Sequence, residues 1–105
     1  MSQGWSATDK SVAHKAAARA EAKAEAEVLE LFRAYPVKNA DDLWRLELQI
    51  REWRRERKHA FTLNFERAED QLAEWLHKAW LSPGDLAALS DTRRERIRAK
   101  TGYRK

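Results

Sequence analysis

This chain gives a helix few places to stop. Its 105 residues include only three glycines and two prolines, and between Val37 and Ser82 there is neither. Proline removes a backbone donor and glycine loses the most backbone freedom on folding, so these residues usually end helices. The intervening stretches are rich in Ala, Leu, Glu, Lys and Arg, which lose little side-chain freedom in a helix. No stretch alternates apolar and polar residues as a half-buried strand would, and no internal repeat is present. The expected fold is all-α, with about four helices in a single domain spanning residues 1–105.

Periodicity places the helices. Met1 to about Ser6 carries none, and residues 1–8 are expected to be disordered. Thr8 or Asp9 can cap the first helix, which runs to Tyr35 and ends at Pro36. Its N-terminal part has a thin stripe of Ala13, Ala17, Ala20 and Ala24 that buries little, so it either projects or packs closely on a partner helix. Val28, Leu31, Phe32 and Tyr35 add apolar bulk further on. Asn39 caps the second helix, with Asp42 three residues later in a capping-box-like arrangement. Leu43, Leu46, Ile50, Trp53, Arg57 and Ala60 then form one face at three- and four-residue spacing. Trp44 and Leu48 lie on another side, continued by Arg51 and Arg55. Two apolar sides on one helix imply two contacts, one with its own core and one with a second subunit or partner.

Residues 61–65 could end the second helix or bend it. Ala68, Leu72, Trp75, Leu76 and Ala79 make a third helical face. Ser82-Pro83-Gly84-Asp85 restarts the chain with a cap, an N-terminal proline and a first-turn acid. Leu86, Leu89, Arg93 and Ile97 are the expected inner face of one last helix that Gly102 ends.

The same residues argue against most chemistry. There is no cysteine, so disulfides and thiolate metal sites are excluded. His14, His59 and His77 are isolated and lack the spacing that lets two helical histidines share a metal. The carboxylates lie among Lys and Arg at helical offsets, the pattern of solvent-exposed ion pairs. There is no nucleophile elbow and no glycine-rich phosphate loop. The chain is therefore expected not to be an enzyme and to need no metal or cofactor. No apolar run is long enough to span a bilayer, and a cytoplasmic setting with no membrane role is expected. With 21 basic and 17 acidic residues, the net charge is +4. Basic runs at Arg51–Lys58 and Arg93–Lys100 permit a small nucleic-acid-associated regulator as an alternative. Acids interrupt both runs, however. A recognition helix opening Pro83-Gly84-Asp85-Leu86 would also offer few base-reading side chains. Nucleic acid is thus the less favoured partner.

Five tryptophans in so short a chain point toward protein contacts. Trp53 and Trp75 fit core faces, Trp80 can cover a turn, Trp5 falls where no core is expected, and Trp44 divides evenly between core and interface.

The segment Asp41-Asp42-Leu43-Trp44-Arg45-Leu46, followed by an Arg-rich helix through Arg54, resembles the central helix of the fluorescence recovery proteins of cyanobacteria. Phe61 falls at a family aromatic position. Asp85-Leu86-Ala87-Ala88-Leu89 and the basic stretch Arg93–Lys100 with Ile97 resemble the family's C-terminal helix, and Trp5-Ser6 resembles its N-terminal Trp-Ser pair. The clear likeness covers residues 41–100. It implies an all-helical homodimer without a cofactor. Such a dimer binds the orange carotenoid protein, mainly through that protein's C-terminal domain, and speeds return of its light-activated form to rest, ending phycobilisome quenching. Carried over by position, Trp44 and Arg54 match residues of the family's dimer contact, and with Leu48 and Arg51 on the second side of the helix they become the expected dimer contact. Trp44, Glu47, Arg54, Asp70 and Arg96 become the expected partner-binding residues. Three positions depart from the family: Glu47 replaces His, Leu48 replaces Asp, and Asp70 replaces an aromatic residue. Losing a contact aromatic to an acid removes apolar area and adds a desolvation cost. The resemblance therefore implies a scaffold more firmly than it implies the identity of the partner.

Overall fold

A computed structural model describes residues 4–101 of the chain. Among them are four α-helices, α1 (Ala7–Arg33), α2 (Ala40–Glu56), α3 (Ala68–His77) and α4 (Asp91–Lys100), with a 3-10 turn, Pro83–Leu86, between the last two. No strand occurs among the described residues.

The N-terminal segment differs from expectation. Trp5 is buried to 6 % exposure, and Ser6 caps α1 by accepting from the Asp9 N–H at 3.0 Å, so neither Thr8 nor Asp9 is the cap. Residues 4–8 are ordered by contacts that sequence periodicity cannot register: Trp5 packs edge-on against Phe65 with ring centres 5.0 Å apart. Residues 1–3, and the stop expected at Gly102, lie outside the described residues.

The core lies between the first half of α1, α3, the 3-10 turn and α4. Ala13, Ala16, Ala17 and Ala20 of α1 meet Leu72 and Trp75 of α3, Leu86, Leu89 and Ile97. The alanine stripe thus docks closely, because methyl side chains let two helix backbones approach. The bulkier second half of α1 is the part left uncovered, with Leu29 and Leu31 exposed.

α2 begins as expected, with Asn39 Oδ1 accepting from the Asp42 N–H at 2.9 Å. The return bond differs: Asp42 accepts from the Lys38 N–H rather than from Asn39. α2 contains no buried residue. Leu46, Ile50 and Trp53, expected to face a core, are only half-buried. The uncovered helix explains the elongated shape, whose radius of gyration is 16.8 Å against about 13 Å for a compact chain of this length.

The second helix ends at Glu56, and a non-helical link follows. Gln71 secures that link, accepting from the Asn64 N–H and donating to the Thr62 carbonyl. α3 closes in a Schellman turn. Trp80 N–H reaches the Trp75 carbonyl at 2.9 Å and Ala79 N–H reaches that of Leu76 at 3.0 Å, while Ala79 takes a left-handed φ of 63°. Trp80 covers this turn, as expected, and donates its indole N–H to Glu27 of α1 at 2.9 Å. The expected single last helix is split. The chain leaves the 3-10 turn after Leu86 and restarts at Asp91. Leu86, Leu89, Arg93 and Ile97 are nevertheless all buried, since 3-10 and α geometry place every third or fourth residue on nearly the same side.

Candidate protein-binding surfaces

Two surfaces collect the residues singled out in the sequence. The first is the exposed apolar side of α2. Trp44 and Leu48, four residues apart and so on one side of the helix, are 61 % and 51 % exposed. Among the described residues, Leu43, Val37, Leu29 and Leu31 are the other large apolar residues that remain uncovered. Isolated exposed apolar residues are unremarkable, but α2 has no buried side chain and carries three of these residues, Leu43, Trp44 and Leu48. Glu47, Arg51 and Arg54 line an open groove beside it with Ile50, Arg55 and Lys58. Arg51 is tied to Glu47 at 3.2 Å. The expected dimer residues Trp44, Leu48, Arg51 and Arg54 therefore share one exposed helix. Leu29 and Val37 drew no attention in the sequence, although the apolar bulk at the end of α1 was visible.

The second surface lies on α3 and α4 and contains the other two expected partner residues, Asp70 and Arg96. Glu69 connects Arg96 to the buried Arg93. It accepts from Arg96 Nε and Nη2 at 3.1 and 2.8 Å and from Arg93 Nη1 at 2.6 Å. Hydrogen bonding from Arg96 holds the Glu69 carboxyl below its ordinary range. Partial burial works against this, and the charges of Arg96, Arg93 and Lys100 add to the lowering. Glu69 reciprocally holds Arg96 in its charged form. Lys100 pairs with Asp70 at 3.1 Å, and a shallow hollow of about 340 Å³ lies among Asp70, Ala73, Glu74, His77, Lys100 and Thr101. The surface thus presents an immobilised guanidinium next to an acid–base pair, suited to a charged partner surface.

Arg93 supports this arrangement from within. Its Nε donates to Asp9 at 3.1 Å, its Nη2 donates to the Gly4 carbonyl at 3.3 Å, and its guanidinium lies 3.8 Å from the centre of the Trp5 ring. Asp9 also accepts from the Ser90 N–H, supplying α4 with a cap from a distant part of the chain. Glu69 did not stand out in the sequence and Asp9 did so only as a possible cap of its own helix, because each works through partners on other helices.

Among the described residues, no hydrogen bond or ion pair joins the α2 set (Trp44, Glu47, Leu48, Arg51, Arg54) to Asp70 and Arg96. No cluster of His, Asp and Glu there could hold a metal ion, and no helix is long and apolar enough to cross a membrane. Much of the basic charge is paired. Arg94 meets Asp91, Arg96 meets Glu69, and Lys100 meets Asp70.

No family model matches the chain. Among solved structures, the fluorescence recovery protein of Fremyella diplosiphon superposes with a TM-score of 0.77 over 93 % of this chain and 98 % of that one, at 20 % sequence identity. The resemblance carried by Asp41–Arg54 and Asp85–Lys100 thus extends to nearly the whole backbone, and the chain has the fold of that fluorescence recovery protein.

Proposed function

We propose that this chain is a non-enzymatic regulator that works by binding proteins: a second copy of itself through α2 and the end of α1, and a client through the α3–α4 surface. The observation carrying this reading is the uncovered state of α2, a 17-residue helix with no buried side chain. Helices of that length are marginal in water without a packed face, so an ordered α2 calls for a covering partner. A symmetric dimer supplies one from the same surface on both copies. The shared fold makes the orange carotenoid protein, or a protein related to its C-terminal domain, the first client to test. Regulation would consist of preferential binding to the resting form or to the path leading back to it, in the cytoplasm and without cofactor.

The test is the dark recovery of photoactivated orange carotenoid protein with and without this chain. Faster recovery is expected, and Arg96→Glu should reduce the acceleration by about tenfold by reversing a charge at the client face. An unchanged recovery rate with wild-type protein would reject this client and restrict the likeness to fold.

A further inference from the structure

A second cavity, of about 450 Å³, lies between the end of α3, the 3-10 turn and α4. It adjoins the Asp70–Lys100 hollow, with which it shares His77 and Thr101. Leu81, Leu86 and Ile97, all buried, form its floor, and Leu76 and Pro83 contribute apolar walls. Its charged lining is basic: Arg94 and Arg98 lie four residues apart on one side of α4, His77 of α3 and Thr101 complete the polar lining, and no carboxylate lines the space. The pairs these arginines make, Arg94 with Asp91 and Arg98 with Glu95 at 3.8 Å, are local contacts with largely exposed acids, which hold little energy in water. Arg94 Nε is enclosed and has no acceptor among the described residues.

An apolar floor beneath two guanidinium groups matches an amphiphile with a carboxylate head. Arginine's fork binds that head through two parallel hydrogen bonds, and a volume of this size is typical of small-molecule sites. A docked amphipathic helix would need a row of anchor pockets along several turns, whereas this floor is three side chains wide. We propose that this cavity is a binding site for apolar monocarboxylic acids of the medium-chain fatty-acid class. The acyl chain lies over Leu81, Leu86 and Ile97, and the carboxylate lies between Arg94 and Arg98.

Decanoate is the probe, titrated into the full isotope-labelled chain and followed by amide NMR. Saturable shifts are expected at Leu76, Ala87, Arg94, Arg98 and Thr101 in the millimolar range, as suits so few ligand atoms. n-Decanol and Arg94→Gln should each weaken binding about tenfold, the loss expected for a charge-assisted hydrogen bond, and decyltrimethylammonium should not bind there. Ala87→Phe, at an exposed wall position, should block the site while leaving the circular dichroism spectrum unchanged. The proposal fails if no saturable shift appears at these amides or if decanol binds as well as decanoate. It also fails if the shifts centre on Trp44, or if an acidic apolar peptide binds the cavity and decanoate does not.

Discussion

Arg93 gathers Asp9, Glu69, the Gly4 carbonyl and the Trp5 ring around one buried guanidinium. Removing one member of a buried ion pair leaves the others uncompensated, so Arg93→Met should cost about 3–5 kcal/mol in urea denaturation. A loss under about 1 kcal/mol would mean that the cluster contributes little. Glu69 adds a pH dependence. Its carboxyl is held below the ordinary value of 4.5, so the stability it contributes is complete above that value and is lost as pH falls through the lower folded-state value. Denaturation midpoints should therefore drop on acidification below pH 4.5, and more shallowly in Glu69→Gln. Equal slopes in the two proteins would contradict this. These residues show what the sequence concealed. Asp9 was read as a possible cap of the first helix, not as the cap of a helix 81 positions away. Trp5 precedes the helix, so no periodicity could assign it to the core. Trp44 and Leu48 were legible because their displacement from the main α2 stripe is a property of the sequence alone.

At the scale of elements, the two halves of α1 divide their roles by side-chain size. The alanines of α1 form the close contact with α3, while Leu29 and Leu31 beyond them remain exposed. An expectation based on bulk reverses this order, since large apolar residues are ordinarily the buried ones. Here Leu29 and Leu31 stay uncovered within one copy of the chain. The α2 stripe was correctly periodic, but periodicity cannot say whether a face meets its own core or another molecule. The account predicts that Leu48→Glu loses helical signal in circular dichroism and protection from hydrogen exchange across residues 40–56, while α3 and α4 stay protected. Unchanged protection of α2 would mean that it needs no cover. The Schellman turn after α3 offers a separate test. Ala79 holds a left-handed φ of 63° that glycine adopts without steric cost. Ala79→Gly should stabilise the fold by about 1 kcal/mol in thermal melts, and a lower Tm would contradict this reading of the turn.

For the whole molecule, one end of an elongated body carries the compact α1–α3–α4 core, and α2 presents an apolar flank. The all-helical class, the α2 cap and the buried side of the last segment were legible because each depends on local spacing. The break between the 3-10 turn and α4 was not, because both geometries satisfy the same three- and four-residue pattern. The client surface was only partly legible. Asp70 and Arg96 came from a resemblance, whereas Glu69, which fixes Arg96, became evident only once α3 and α4 were adjacent. The central claim is that the exposed α2 surface is covered by a second copy of the chain. Light scattering at micromolar concentration tests it most directly. The account predicts twice the 12.3 kDa chain mass for the wild type and the single-chain mass for Leu48→Glu. A monomeric wild type, or a Leu48→Glu variant that keeps the doubled mass, would contradict it.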